Sequence, residues 1–149
     1  MMEVLASLHA KIIHFPIAFL MLYILLEFLG VTFKRDFFSK AAHLLLLLAV
    51  ITALFAVFTG SQAKALAQKW GAGGAVIPLN AIGEHEQYAT IILWYFAVLL
   101  VVRSYLVFKK KFSGVFKYGV LILAFIGGYL LYETSEYGGK LVYKYGLGT

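Results

Sequence analysis

"AAHLLLLLAVITALFAVF", residues 41–58, carries one ring nitrogen pair at His43 and no formal charge. Its 18 residues would make about 27 Å of helix, close to the thickness of a bilayer's hydrocarbon core. Such a run decides between a water-soluble domain and a membrane domain, and the rest of the chain agrees with the second. Of 149 residues, 62% are hydrophobic and 13% are charged, too apolar for a soluble domain of this size.

Three further runs have the required length, giving spans at about 15–33, 41–66, 87–108 and 116–133. The last is the shortest, and Gly119, Gly127 and Gly128 lower its helix propensity, yet no charge interrupts it between Lys117 and Glu133. No repeat of 20 to 50 residues and no second domain is evident, so residues 1–149 read as one antiparallel four-helix transmembrane bundle. The first apolar run is long and its cationic end, Lys34-Arg35, follows it, unlike a cleaved secretion signal, so residue 1 is taken as part of the mature chain.

The flanks of the runs set orientation. Loops 34–40 and 109–117, together with Arg103, hold Lys34, Arg35, Lys40, Lys109, Lys110, Lys111 and Lys117 against Asp36 alone, while acids and bases balance on the opposite side. The positive-inside rule then puts both termini and loop 67–86 outside the cytoplasm. The formal charge of +6 is thereby a topology signal, which excludes a nucleic-acid partner. Loop 67–86, with "WGAGGAVIPLN", reads as an interfacial flap rich in glycine and proline. Tyr132, Tyr137, Tyr143 and Tyr145 read as an aromatic belt in a C-terminal tail, and Val4, Leu5, Leu8, Ile12 and Ile13 as an interfacial amphipathic turn.

Counting along the helices locates the histidines. His14 lies about 20 residues from Lys34 and His85 about 18 from Arg103, so both fall roughly 27 to 30 Å from the cationic side, in one outer layer. Gly60, Ser61 and Gln62 reach the same level, His9 lies beyond it, and His43 belongs to the inner face. Pro16 either begins the first helix or kinks a helix that starts earlier, and in both cases redirects His14.

These residues support three readings. In one, His14 and His85 hold a b-type haem between them, with His9 as the competing ligand, and Gly60, Gly127 and Gly128 allow the macrocycle close to the backbone. Lys11, Lys64 or Lys69 would then face the propionates, and Glu84 or Glu86 would accept the other ring N–H of His85. In the second, His9, His14 and His85 bind Zn or Cu, which requires a broken helix because an i, i+5 pair does not share a helix face. In the third, the histidines are interfacial polar residues, no cofactor is bound, and the glycines are helix contacts. Glu27, within the first span, should face the bundle and pair with Arg103 or assist proton or quinone chemistry. The absence of cysteine excludes disulfides, iron–sulfur clusters and thiolate chemistry within the chain. No H-E-x-x-H, Walker loop or G-x-S-x-G is present, which argues for a carrier or complex subunit over a hydrolytic enzyme.

"HAKIIHFPIAFL" (9–20), "FTGSQA" (58–63), "GEHEQYATIILWYFAVLLVVRSYL" (83–106) and "GGKLVYKYGLG" (138–148) together resemble a bacterial four-helix membrane family known only as a domain of unknown function. That family opens H-P-x-x-V-H-F-P-I-A and closes G-G-x-L-V-Y-x-x-G; Ala10 stands here where the family more often has proline. The resemblance covers nearly the whole chain. It implies a bacterial cytoplasmic membrane, a redox setting beside Rieske or cytochrome c modules, and functional histidines at His9, His14 and His85. The expectation is a membrane electron-transfer subunit with one haem b near the outer face; the alternative is a cofactor-free or metal-binding accessory subunit of a larger respiratory complex.

Overall fold

The computed structural model describes residues 2–147, and among them all regular structure is helical. Five helices follow in order: α1 (Met2–Ile12), α2 (His14–Phe33), α3 (Asp36–Ala72), α4 (Leu79–Phe108) and α5 (Val115–Tyr143). Four helical stretches are long and apolar enough to cross a membrane, the first of them running through α1 and α2 from Ala6 to Phe33. Short connections at 34–35, 73–78 and 109–114 force consecutive helices to run antiparallel. α3 packs on α2, α4 on α3 and α5 on α4, and α5 closes the ring against α2.

The core follows from the sequence of α3. Ala42, Leu46, Ala49, Ala53, Ala56, Gly60, Ala63 and Ala67 recur at alternating steps of four and three and face inward, buried or half-buried. Small side chains on such a seam let helix backbones approach closely where lipid supplies no hydrophobic driving force between helices. Leu20, Tyr23, Ile92, Leu93, Phe96, Leu99, Val120, Ala124 and Leu131 fill the space around the seam. Leu25, Phe28, Leu54, Phe58, Trp94 and Val98 point outward, the arrangement a bilayer requires.

The helices overrun the expected spans. α3 continues six residues past residue 66 and α4 begins at Leu79, so the flap expected over 67–86 shrinks to the connection 73–78. The seam explains this, since Ala63 and Ala67 extend it beyond the level of Gly60 and keep α3 helical against its neighbours. Likewise the expected tail after residue 133 is helical to Tyr143, with Tyr137 stacked on Tyr88 of α4 at 4.4 Å between ring centroids and 17° between planes.

α1 is a further departure. The expected amphipathic turn is an 11-residue helix packed mainly against α3. The ladder crosses from α1 into α2, because the Ile13 amide donates to the His9 carbonyl (3.1 Å) and the Ile17 amide to the Ile13 carbonyl (3.4 Å). Ile13 itself has helical dihedrals (φ −58°, ψ −25°). Pro16, in the first turn of α2, has no N–H to offer Ile12, four residues earlier, so one rung is missing where α1 passes into α2.

Candidate functional site: a paired-histidine layer

At the end of the bundle that holds α1, two helix pairs, α1 with α3 and α4 with α5, each enclose one imidazole. His9 lies on α1, Thr59 and Gly60 on α3, His85 on α4, and Thr134 and Gly138 on α5. Each imidazole rests on a glycine. A Cβ on Gly60 would stand 3.0 Å from Cε1 of His9, and one on Gly138 would stand 3.0 Å from Cε1 of His85. Both positions therefore need the missing side chain for close approach. His9 and His85 are near enough to interact electrostatically.

Hydrogen bonding selects the tautomer of His9. The Thr59 hydroxyl lies 2.9 Å from the carbonyl of Phe55 and 3.0 Å from that of Ala56, so its one proton goes to the backbone. Its oxygen is left as an acceptor for Nδ1–H of His9 at 3.2 Å. The neutral ring then keeps an unprotonated Nε2. His85 has a buried Nδ1 with no hydrogen-bond partner. An unpaired buried polar atom is rare because it forfeits the hydrogen bond it had in water.

The layer differs from the expected pairing of His14 with His85. His14 is exposed on α2 and is not brought to His85. Five residues of helix turn the chain by about 140°, so once His9 faces α3, His14 points elsewhere. Glu84 is exposed. Glu86 turns to α3, where it pairs with Lys64 at 2.5 Å and accepts from Ser61 at 3.2 Å. Threonines, not these carboxylates, stand beside the imidazoles. Gly60 belongs to the layer as expected, whereas Gly127 and Gly128 lie roughly 15 Å deeper by helical rise. Gly127 packs under the rings of Phe96 and Tyr95, and a Cβ on Gly128 would stand 3.1 Å from Ile24 of α2. Among the described residues no group of three or more His, Cys, Asp or Glu side chains converges as a metal would require.

Gly138 and the two threonines escaped the sequence reading. Gly138 sits beyond the expected end of the last span, and the signal that could have found it is the spacing: a histidine near the start of one helix is followed about fifty residues later by a glycine in the next, in both halves of the chain.

The opposite end carries a second polar cluster. Arg103 and Glu27 are each 1% exposed. Nε of Arg103 donates to Oε2 of Glu27 at 3.0 Å, Nη1 to Nδ1 of His43 at 2.8 Å, and Nη2 to the carbonyl (2.8 Å) and hydroxyl (3.1 Å) of Ser39, with Nη2 also 2.9 Å from Oε2 of Glu27 in the ion pair. The Phe112 ring covers the guanidinium carbon at 4.5 Å. The expected Glu27–Arg103 pair is present, and His43 belongs to it.

A ring of four membrane-crossing helices with two buried polar layers defines an integral-membrane helical bundle. The chain belongs to the family described as "Predicted membrane protein (DUF2231)", which it matches over residues 6–149. No curated protein and no solved structure matches it.

Proposed function

We propose that the protein is a membrane electron-transfer subunit in which His9 and His85 of the paired-histidine layer would hold one b-type haem. The observation that carries this reading is a pair of imidazoles from separate helices in one layer, each seated on a glycine of a neighbouring helix, with Nδ1 of His9 bonded to the Thr59 hydroxyl and Nε2 left as its unprotonated nitrogen. The buried, unpartnered ring nitrogen of His85 points the same way. Ligating histidines are oriented by a hydrogen bond at the second ring nitrogen, and for His9 the Thr59 hydroxyl occupies that role. A haem with two imidazole ligands supplies one-electron exchange without an open coordination position. His9 and His85 fix the iron, Gly60 and Gly138 admit the rings, and the Lys64–Glu86 bridge holds α3 to α4 beside them.

The lysine-rich loops 34–40 and 109–117 favour a cytoplasmic location for the Arg103 end of the bundle, which turns the histidine layer and both termini to the outer side of a bacterial cytoplasmic membrane. A cytochrome c or Rieske-type protein would be the electron partner there.

Absorption spectra of the purified protein before and after dithionite test the reading. A sharp reduced α-band that vanishes in His9→Ala and in His85→Ala, and persists in His14→Ala, is expected. A folded, colourless protein overturns it in favour of an accessory subunit, and retention of the band in both ligand variants overturns the ligand assignment.

A further inference from the structure

We propose that α5 carries a binding groove for one anionic phospholipid, near the histidine layer but on another face of the helix. The groove has a volume of about 430 Å³ and is lined by Tyr132, Ser135, Glu136, Gly139, Lys140, Tyr143 and Lys144. These positions recur at helical spacing on one stripe of α5, and Gly139 leaves a notch in its middle. Gly138 faces His85, so the neighbouring Gly139, turned about 100° around the helix, opens away from the imidazoles.

The order of side chains along the stripe matches a phospholipid standing in a leaflet. Lys140 and Lys144 lie at the end of the helix farthest from the bundle centre, at and beyond the level of the Lys64–Glu86 bridge. Tyr132 lies toward the centre, and exposed Tyr129, Ile126 and Phe125 continue the apolar surface below it. A phosphate near the two ammonium groups would therefore leave its acyl chains running down an aromatic and aliphatic track. Lys140 stands 4.8 Å from the ring centroid of Tyr137 and Lys144 5.5 Å from that of Tyr145, so tyrosines stabilise both cations at the height of the headgroups.

Charge selects the class of lipid. Two lysines face one carboxylate, Glu136, which leaves one positive charge in excess in the groove and complements a headgroup of net charge −1. A zwitterionic phosphatidylcholine brings its own cation and gains nothing from that excess.

Native mass spectrometry of the detergent-purified full chain, titrated with phosphatidylglycerol or phosphatidylcholine, tests the assignment. One phosphatidylglycerol is expected to bind at least tenfold more tightly than phosphatidylcholine. The double change Lys140→Gln/Lys144→Gln should weaken it roughly thirtyfold, from about one lysine's worth of surface attraction at each position. Glu136→Gln should strengthen it, and Gly139→Leu, which fills the notch without altering charge, should weaken the binding of both lipids. Lys109→Gln/Lys110→Gln, at the other end of the bundle, serves as the comparison. Equal losses in the two double variants, or no discrimination between the lipids, overturn the proposal, as does unchanged binding in Gly139→Leu.

Discussion

The two polar layers of this bundle handle burial in opposite ways. At the Arg103 end a full guanidinium charge is enclosed, and its nitrogens reach a carboxylate, an imidazole, a hydroxyl and a carbonyl drawn from α2 and α3. At the histidine end no formal charge is enclosed, yet hydrogen bonds are sparse and one buried ring nitrogen has none. The comparison teaches that a polar group closed on partners within the chain serves the fold, because its removal leaves those partners stranded in a low-dielectric interior. A polar group left open is available to something from outside the chain.

The largest effect should come from breaking the closed layer on one side. Arg103→Leu leaves Glu27 and the Ser39 carbonyl without their donor and should lower unfolding free energy in detergent micelles by about 3–5 kcal/mol. Glu27→Leu/Arg103→Leu, which removes both charges, should recover most of that loss; equal damage in single and double variants would mean that the pair's mutual satisfaction is not what matters.

Next comes the packing between the layers. Gly127→Ala drives a methyl into the ring of Phe96 and should destabilise by about 1–3 kcal/mol, with Phe96→Leu restoring much of it in the double variant. Equilibrium unfolding of the three proteins checks this. Gly138→Ala and Gly60→Ala sharpen the contrast, because each displaces an imidazole from its seat. Either should shift or broaden the reduced α-band while unfolding free energy changes by less than about 1.5 kcal/mol, the reverse of the Gly127 pattern.

The smallest effect belongs to Lys64→Gln. Both partners of the Lys64–Glu86 bridge are about 30% exposed, so its loss should register as only about 0.2–1 kcal/mol and should shrink further in salt. A larger, salt-independent loss would place the bridge with the buried layer instead of the surface.

Much of this was legible in the sequence, for a physical reason: hydropathy and helical rise fix position along the membrane normal. Four spans, the partnership of Glu27 with Arg103 and the shared level of Gly60 and His85 all follow from counting. Azimuth does not follow so simply. His9 and His14 differ by about 1.4 turns, and which of them faces inward depends on how α1 joins the bundle, a matter of packing against α3. Gly138 was hidden for a related reason, since hydropathy marks where lipid ends but not where a helix ends. Gly127 and Gly128 were grouped with the histidines by residue type, although the rise per residue already set them deeper in the membrane.

Pro16 has a consequence for the placement of His9. α1 is joined to α2 through a stretch lacking one rung of its ladder and packs chiefly on a single helix, α3. A change of angle at this stretch would move His9 against Gly60 while leaving the Arg103 cluster, toward the other end of α2, closed.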